Sequence, residues 1–323
     1  MKVCESEHRS LGLLCGLLGR TRQAYYGHFR ETEKEAIGAH LLLSEVSRIR
    51  TVQKRIGAKK LHHMMAGFMD GHGVRMGRDA FVDFLREHHL LVRKRRTRKP
   101  RTTYSGYWMK RYPNLAGEFI PVGPNQLWVS DITYVRLKDG FAYLSLVTDA
   151  YSRKIVGFHL GRDLTARGCV AALKMALAHG PESRGLIHHS DRGLQYYSRG
   201  YMKLLSDHGI RVSMSEKSDP LENAIAERVN GILKQELLER RFDCFAAAER
   251  AVAEAVSIYN YLRPHLSIDM LTPAEAHERN GSLKRHWKNY RAISPVYSSS
   301  LGLNCKPHSE LTMKCKPIGG PNP

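Results

Sequence analysis

Three acidic residues, Asp131, Asp191 and Glu227, stand in settings where carboxylates can do chemistry. Asp131 interrupts the otherwise apolar run QLWVSDITYV, and Asp191 follows the short apolar run in GLIHHSDRG. Glu227 lies on the helical pattern ENAIAERVNGILKQEL, with 35 residues (192–226) between it and Asp191. Two carboxylates from strands and one from a helix can converge on a pair of divalent cations, a site that activates water or a hydroxyl to attack a phosphodiester in line. Magnesium suits such a site because it is a hard cation that prefers oxygen and needs few protein ligands.

Each acid also has an ordinary explanation, since most Asp and Glu side chains lie on protein surfaces. An aspartate in a central strand lowers β-propensity and needs a partner, so a hydrogen-bonded core role for Asp131 fits as well as a metal role. Asp191 ends the predicted strand Leu186–His189, where open α/β sheets place their ligands, but turn aspartates are common there too. The positions of all three acids together favour the catalytic interpretation.

The helix that carries Glu227 presents a polar face suited to phosphate. Four residues share that face at positions i−4, i, i+3 and i+7: Asn223, Glu227, Asn230 and Lys234. We predict that the three polar neighbours of Glu227 flank the metal site and contact DNA. Two other acids compete with Glu227, but Glu222 is better explained by its place near the helix N-terminus, and Glu236 as a solvent partner of a Lys or Arg.

Other candidate side chains near these acids have simpler roles. Asp149 ends the second predicted strand and is followed closely by Ser152 and Arg153, so a turn or ion-pair role is expected. His188 and His189 precede Asp191. A lone histidine on a strand more often supports the core than binds a ligand, and approach of one of them to the site or to DNA is the alternative.

Composition points to nucleic acid as the partner. The 323-residue chain carries 51 Lys and Arg against 31 Asp and Glu, a formal charge of +20. A protein this basic most often binds nucleic acid, less often an anionic membrane or an acidic protein. The six cysteines are scattered without a C-x-x-C pair, which fits a reducing compartment. No run approaches the ~18 apolar residues of a membrane span. We therefore expect a cytoplasmic protein that binds nucleic acid.

The first part of the chain, 1–92, is predicted to be a helical, DNA-binding region. Residues 8–30 resemble two short helices around Gly19, either a helix-turn-helix or an ordinary helical hairpin. A separate helix is expected over 32–50 from its apolar spacing. A second helix-turn-helix candidate spans Lys59–His88, with MDGHGVRMG as its turn, and leaves Arg78 and Arg86 available for DNA.

A basic linker, 93–123, is expected next. It begins with RKRRTRKPR, which has seven basic residues in nine, and its proline and lack of periodicity argue against a helix. We predict that the first residues of this run track the DNA backbone: Arg93, Lys94, Arg95 and Arg96. Tyr104, Tyr107 and Trp108 follow, and either stack on bases or pack on the next domain.

Residues 124–280 have an alternating strand and helix pattern. Strands are predicted at 126–135, 141–148, 153–160, 186–189 and 210–214, and helices at 165–179, 198–208, 222–240 and 245–262. The order β-β-β-α-β-α-β-α-α predicts an α/β fold with a mixed five-stranded sheet flanked by helices. The basic tail, 281–323, is expected to be disordered, and a metal site of Cys305, His308 and Cys315 lacks an evident fourth ligand.

Several segments together resemble a known family. The stretches PNQLWVSDITYV, VTDAYSRKIVGFHL, HHSDRGLQYYS, DPLENAIAERVNGILKQEL and YNYLRPHLSIDMLTPAEAH are similar to the catalytic half of bacterial insertion-sequence transposases. The resemblance is to the second-frame (OrfB) proteins of the IS-three family, which are related to retroviral integrases. It covers 124–278 strongly and 10–100 more loosely, where the family carries helix-turn-helix segments.

The resemblance implies a ribonuclease-H-like core with a D, D, 35, E triad, matched here by Asp131, Asp191 and Glu227, and two magnesium ions, for which Mn²⁺ can substitute. It implies a DNA transposase that cleaves donor DNA and transfers the strand to a target. The implied partners are transposon ends, target DNA and further copies of the chain on DNA, with fusion to an upstream-frame product as one route to activity. Two features differ from relatives: the retroviral zinc module has no counterpart here, and the helix opens with Glu-Asn instead of Asp-Asn.

Two other functions fit part of this pattern. A hydrolytic nuclease would share the fold and the acids without joining strands, so the sequence does not separate it from a transposase. A non-catalytic DNA-binding regulator would use only the helical region, and its triad would be expected to be degraded, whereas the triad here is intact.

Overall fold

The computed structural model describes residues 11–93, 112–117, 119–178, 185–215 and 223–286. Its first part is helical, and the described helices are α1 (Leu11–Leu17), α2 (Arg22–Val52), α3 (Ala58–Gly71) and α4 (Arg78–Glu87). Side chains of α2, α3 and α4 share one apolar cluster that includes Leu42, Met65 and Phe81, all fully buried. This part therefore has a core of its own.

Helix α2 corrects one sequence prediction. The second short helix expected within 8–30 and the separate helix expected over 32–50 are one continuous helix of 31 residues. It begins at the N-cap Thr21, whose hydroxyl accepts the Ala24 N–H at 3.0 Å. The chain between the two predicted helices has no proline, and the glycines at 27 and 38 only lower helix propensity, so nothing ends the helix there.

The second helix-turn-helix candidate forms its two expected helices, α3 and α4. Phe81, Phe84 and Leu85 are buried as predicted, and Val82 is only partly buried. Arg78 and Arg86 are exposed, and each is paired with an aspartate of the same helix. These exposed pairs add little to stability. Contact of the two arginines with DNA stays a prediction.

The second part of the described chain is a mixed five-stranded sheet, which confirms the predicted architecture. The strands are β1 (Leu127–Leu137), β2 (Gly140–Asp149), β3 (Ile155–Gly161), β4 (Ile187–Ser190) and β5 (Arg211–Met214), in the order β3-β2-β1-β4-β5. Strand β2 is antiparallel to β1 and β3, whereas β4 is parallel to β1 and β5. The helices are α5 (Ala166–Leu177), α6 (Arg199–Asp207), α7 (Ala224–Ile232), α8 (Phe245–Tyr261) and the short α9 (Pro273–His277).

Helices cover both faces of the sheet because side chains alternate along β1. Trp128 points to the face covered by α5 and α6, where it joins a cluster with Leu173 and Tyr201. Val135, on the opposite face, packs with side chains of α7 and α8. Asp131 has the same parity as Val135 and therefore faces α7.

Strand β3 approaches α5 closely, and Gly157 makes this possible. A Cβ at that position would lie 2.1 Å from the Ala172 carbonyl oxygen and 2.9 Å from the Ala176 nitrogen. Any larger residue would push α5 away from the sheet, so glycine is needed here for close packing.

The helix predicted over 222–240 differs from expectation at its end. Helix α7 passes into a π-helical turn, Leu233–Leu237, closed by the Leu238 N–H on the Leu233 carbonyl at 2.7 Å. The chain then leaves the helix at Leu238, which has extended backbone angles. The wider turn changes the direction of the side chains that follow Lys234, and such turns are frequent at functional sites.

All described residues belong to one compact unit. The division at 92, 123 and 280 stays a proposal. Residues 281–286, the start of the predicted disordered tail, are hydrogen-bonded to the core, for example through Tyr151 Oη to the Gly281 carbonyl at 2.9 Å. The rest of that tail with its cysteines, most of the basic linker and Glu222 lie outside the described residues. Within the described ranges, no helix is long and apolar enough to cross a membrane.

Candidate active site

Asp131 and Asp191 lie side by side at the junction of two parallel strands. Strand β4 pairs with β1 in the register Ser130↔Ser190, and each acid is the next residue along its chain. Adjacent strands are about 4.8 Å apart, and residues at the same level of parallel strands point to the same face. The two aspartates are therefore neighbours at the end of this strand pair, and the charge of Asp191 acts on Asp131.

Helix α7 brings Glu227 to this pair. Asn223 Nδ2 donates to the Ser130 carbonyl at 3.0 Å, and Asn230 Nδ2 donates to Asp131 Oδ2 at 2.8 Å. Glu227 lies between these two asparagines on the same helical face, four residues after one and three before the other. Its exposed side chain is thus directed to the edge where Asp131 lies.

Lys234 extends the contact one turn further. Its Nζ donates to Thr133 Oγ1 at 3.2 Å. Burial lowers the pKa of Lys234, while the negative charge of Asp131 opposes this. The structure therefore places all four residues of the predicted polar face along β1.

The predicted DNA contacts divide into three groups. Asn223 and Asn230 are buried and, like Lys234, are hydrogen-bonded to β1 beside the acids. Arg93 is exposed, and its carbonyl accepts a hydrogen bond from Arg55. The other predicted linker residues, 94–96, lie outside the described ranges. Contact of all seven predicted residues with DNA stays a prediction.

The electrostatics of the site disfavour ionisation of the aspartates. Burial, then the negative charge of Asp191 and, least, that of Glu227, raise the pKa of Asp131 to about 7. Hydrogen bonds from Asn230 and the Ile132 N–H oppose this shift. Burial also raises the pKa of Asp191, against a hydrogen bond from the Gly193 N–H. Like charges gathered in a partly buried place need a counter-charge.

The donor set fits a hard divalent cation. The three carboxylates supply oxygen only, and the Oδ1 atoms of Asn223 and Asn230 are buried with no hydrogen-bond partner among the described residues. Magnesium prefers oxygen ligands of this kind. In the described part of the chain, however, no three His, Cys, Asp or Glu side chains stand close enough to hold one ion as they are placed.

The competing acids have structural roles. Asp149 is fully buried and accepts hydrogen bonds from Ser152 and Asn125, as expected of a turn aspartate. Glu236 departs from its prediction as a solvent partner. It accepts two hydrogen bonds at 2.9 Å from Arg263, which is only 1% exposed. The sequence did not reveal this because the partner is 27 residues away and its burial depends on the tertiary fold.

His188 supports the site from the opposite face of the sheet. Ser130 Oγ and Tyr201 Oη both lie 2.8 Å from its Nε2. Burial, and then the neighbouring His189, lower the pKa of His188 to about 3, so the ring is neutral. Ser130 on β1 directly precedes Asp131, and His188 on β4 lies three residues before Asp191, so this network joins the two acid-bearing strands. His189 is likewise buried, with Nδ1 2.8 Å from Ser213 Oγ, and the core role predicted for the pair is confirmed.

We predict that His188→Ala lowers the free energy of unfolding by about 1–3 kcal/mol, because the buried Ser130 and Tyr201 hydroxyls lose their shared hydrogen-bond partner. We also expect about tenfold slower turnover in a DNA-joining assay with little change in KM, because the two acids lose their fixed spacing. His188→Gln, which keeps an acceptor, should recover part of both losses. His208→Ala, at an exposed helix end, is the control. Equal activity of His188→Ala and the unsubstituted chain would show that the network does not set the spacing.

Comparisons with known proteins cover this site. Two family models, both described as "Integrase core domain", match residues 121–220 and 208–273. The first contains both aspartates and the second contains Glu227. An insertion element IS600 protein of 31 kDa from Shigella sonnei is 33% identical over 272 residues, which are 82% of this chain and 98% of that protein.

Further relatives are named transposases. The putative transposase of insertion element IS986/IS6110 from Mycobacterium tuberculosis (strain CDC 1551 / Oshkosh) is 30% identical, over 78% of this chain and 92% of its own length. Transposase InsF of insertion sequence IS3A from Escherichia coli (strain K12) is 34% identical, over 51% of this chain and 58% of its own length. Among solved structures, the HTLV-2 integrase catalytic core domain in complex with magnesium is 19% identical over 49% of this chain and 99% of that chain, with a TM-score of 0.39.

Proposed function

Since the chain belongs to the insertion-sequence transposases and is a DDE-type polynucleotidyl transferase, we propose that Asp131, Asp191 and Glu227 are the residues that carry its chemistry. The observation that supports this assignment is the convergence of three chain segments. The register of β1 with β4 sets the two aspartates side by side, and the asparagines on either side of Glu227 hold α7 against the same strand.

Catalysis of this type depends on divalent metal, and we propose two Mg²⁺ ions, with Mn²⁺ as a substitute, held by the three carboxylates. Such ions activate the attacking oxygen and stabilise the leaving oxygen of an in-line displacement. Every acid of the triad must be ionised to bind them. The raised pKa of Asp131, about 7, means that protons compete for that carboxylate at and below neutral pH.

The remaining polar residues position the acids. Asn230 donates to Asp131 Oδ2 and fixes the orientation of that carboxylate, which leaves Oδ1 with the Ile132 N–H. Asn223 ties the start of α7 to the Ser130 carbonyl. Lys234 places a positive charge beside the acids, where a DNA phosphate would be bound. No Tyr or Ser nucleophile is required, because the attacking oxygen comes from water and then from the DNA 3′-hydroxyl.

Transposition joins two element ends to one target, so we propose that the substrate is element-end DNA and that two or more copies assemble on it. The basic charge of +20 favours such binding. Fusion to an upstream-frame product stays a proposal about how the active enzyme is made. It is tested by assaying the chain alone beside the fusion.

The proposed function predicts joined products. Labelled element-end DNA is incubated with Mg²⁺ and a plasmid target, and products are separated on a denaturing gel. We expect labelled strands covalently joined to the plasmid, none of which form in EDTA. Shortened strands without joined products would instead indicate a hydrolytic nuclease. DNA binding without either product, from both the chain and the fusion, would contradict the proposal and favour a regulator.

A further inference from the structure

The helical half, 11–93, and the catalytic half, 112–286, meet through polar contacts. Among the described residues, no apolar cluster draws side chains from both halves. Gln53 Nε2 instead donates to the Leu262 carbonyl at 3.0 Å, and Arg55 Nε donates to the Gln235 carbonyl at 3.0 Å. Each half therefore has its own hydrophobic core, and a small set of polar contacts holds the two halves together.

A buried charge group lies at the centre of this junction. Glu236 accepts a bidentate pair of hydrogen bonds from Arg263 of the catalytic half, both at 2.9 Å. Lys60 of the helical half approaches the same carboxylate, with Nζ 3.5 Å from Oε2. Lys60 and Arg263 are 8% and 1% exposed, so both charges depend on Glu236. A buried charge that loses its partner is strongly destabilising, which makes this arrangement specific.

The group is built on the π-helical turn Leu233–Leu237. That turn carries Glu236 and offers the Gln235 carbonyl to Arg55. It also includes Lys234, whose Nζ donates to Thr133, two residues after Asp131 on the same strand. One turn of chain thus contacts the helical half on one side and the acidic site on the other.

We infer that Lys60, Glu236 and Arg263 form an intramolecular lock that fixes the helical half on the catalytic half of the same chain, and that the π-helical turn passes this docking to Lys234 beside the acids. Lys60 and Glu236 are then positioning residues. The inference rests on the proposed function for its second part, the effect on strand transfer, and on geometry alone for its first.

The lock explains why a π-helical turn follows α7. An ordinary α-helical turn would rotate Glu236 differently relative to Lys234, and both must point to defined partners, Arg263 and Thr133. The wider π-helical turn lets Lys234 and Glu236, two residues apart in the chain, reach these two partners.

An exposed ion pair at the same junction provides the measurement. Lys54 Nζ lies 3.7 Å from Glu239 Oε1, and both side chains are well exposed, at 71% and 66%. A zero-length carbodiimide cross-linker can therefore convert this pair to an amide when the two halves are docked. The full-length protein is treated in dilute solution without DNA, as an equal mixture of ¹⁵N-labelled and unlabelled chains, and the cross-linked peptides are weighed by mass spectrometry.

We expect the Lys54–Glu239 cross-link in peptides of a single isotope, because docking occurs within one chain. Lys60→Met should lower its yield at least fivefold, while Lys59→Met, at the exposed neighbouring lysine, should not. Lys60→Met leaves the Glu236–Arg263 pair intact, so the catalytic half keeps its fold. Gln53→Met, which removes a different contact, should lower the yield in the same direction.

Absence of the cross-link in the unsubstituted protein, or peptides of mixed isotope as the main product, would overturn docking within the chain. An unchanged yield in Lys60→Met would overturn the lock. For its second part, we expect Lys60→Met to slow strand transfer about five- to tenfold at saturating DNA, and an unchanged rate would overturn the link to Lys234. If the proposed function is wrong, the unsubstituted protein shows no strand transfer while the cross-linking results stand.

Discussion

Asp191→Asn is expected to reduce strand transfer at least about 10³-fold. The substitution removes one negative charge and one ionised oxygen from the site while keeping the size of the side chain. The Gly193 N–H, which donates to Asp191 Oδ1 at 3.1 Å, can still find an amide oxygen there, so the turn after β4 is kept. Removal of one hydrogen-bond donor from a preorganised site already costs about 10²–10³-fold, and we expect loss of a charged metal ligand to cost at least the upper end of that range. The measurement is the initial rate of joined product with element-end DNA in Mg²⁺.

The control for this variant is Asp207→Asn. Asp207 lies at the exposed end of α6 and pairs with Lys203 of the same helix at 3.4 Å. Its substitution removes the same charge from the chain and should leave the rate within about twofold, since exposed pairs contribute little. Full activity of Asp191→Asn, with normal folding by circular dichroism, would remove Asp191 from the catalytic assignment and with it the paired-strand geometry.

Much of this site could be predicted from local sequence. Asp131 stands out because an aspartate among Leu, Trp, Val and Ile needs a partner that only the folded protein supplies. The face of α7 could be predicted because helical spacing fixes which residues align, and Asn223 and Asn230 both contact β1 as this spacing requires. The succession of strands and helices along the chain followed from alternating patterns and short turns, such as the one at Gly140 with φ 129°.

The parts that could not be predicted depend on distant residues. Without a proline, the local sequence does not distinguish the end of one helix from the middle of a longer helix. The prediction of two helices within α2 is therefore wrong. In the sequence the π-helical turn cannot be distinguished from an ordinary α-helix, because nothing at Leu233 or Leu238 indicates a hydrogen bond from the Leu238 N–H to the Leu233 carbonyl. Glu236 was expected in solvent because its partner Arg263 becomes buried only when α8 packs on the sheet.

An Asp→Asn substitution at Asp131 is expected to have opposite effects on stability and on activity. We expect Asp131→Asn to stabilise the metal-free protein by about 2–4 kcal/mol at pH 8, while it abolishes strand transfer. Without cations, an ionised Asp131 is partly buried beside Asp191 and Glu227. A carboxyl pKa raised from 3.8 to about 7 corresponds to at most about 4 kcal/mol.

The sign of this effect fixes its pH dependence. At pH values below about 4 the Asp131 carboxyl is protonated in both the folded and unfolded chains, so its ionisation does not affect stability. Between pH 4 and 7 the unfolded chain loses its proton while the folded chain keeps it, and the folded state therefore becomes less stable as the pH rises. The advantage of Asp131→Asn should be near zero at pH 4 and reach its full value above pH 7. Denaturant unfolding in EDTA across this range measures it.

Asp149→Asn is the matched control, because the buried Asp149 lies in a different hydrogen-bond environment. Its Oδ1 accepts from Ser152 and its Oδ2 from the Asn125 N–H at 2.7 Å, so an amide group there would face a donor on either side. An asparagine at position 131 would instead face Asn230. The side chain of Asn230 can rotate so that its unpartnered Oδ1 accepts a hydrogen bond from the new amide. The same change should therefore destabilise the protein at one aspartate and stabilise it at the other. Destabilisation by Asp131→Asn in EDTA at pH 8 would show that neither burial nor repulsion penalises the ionised Asp131, and would remove the electrostatic basis for placing cations among the acids.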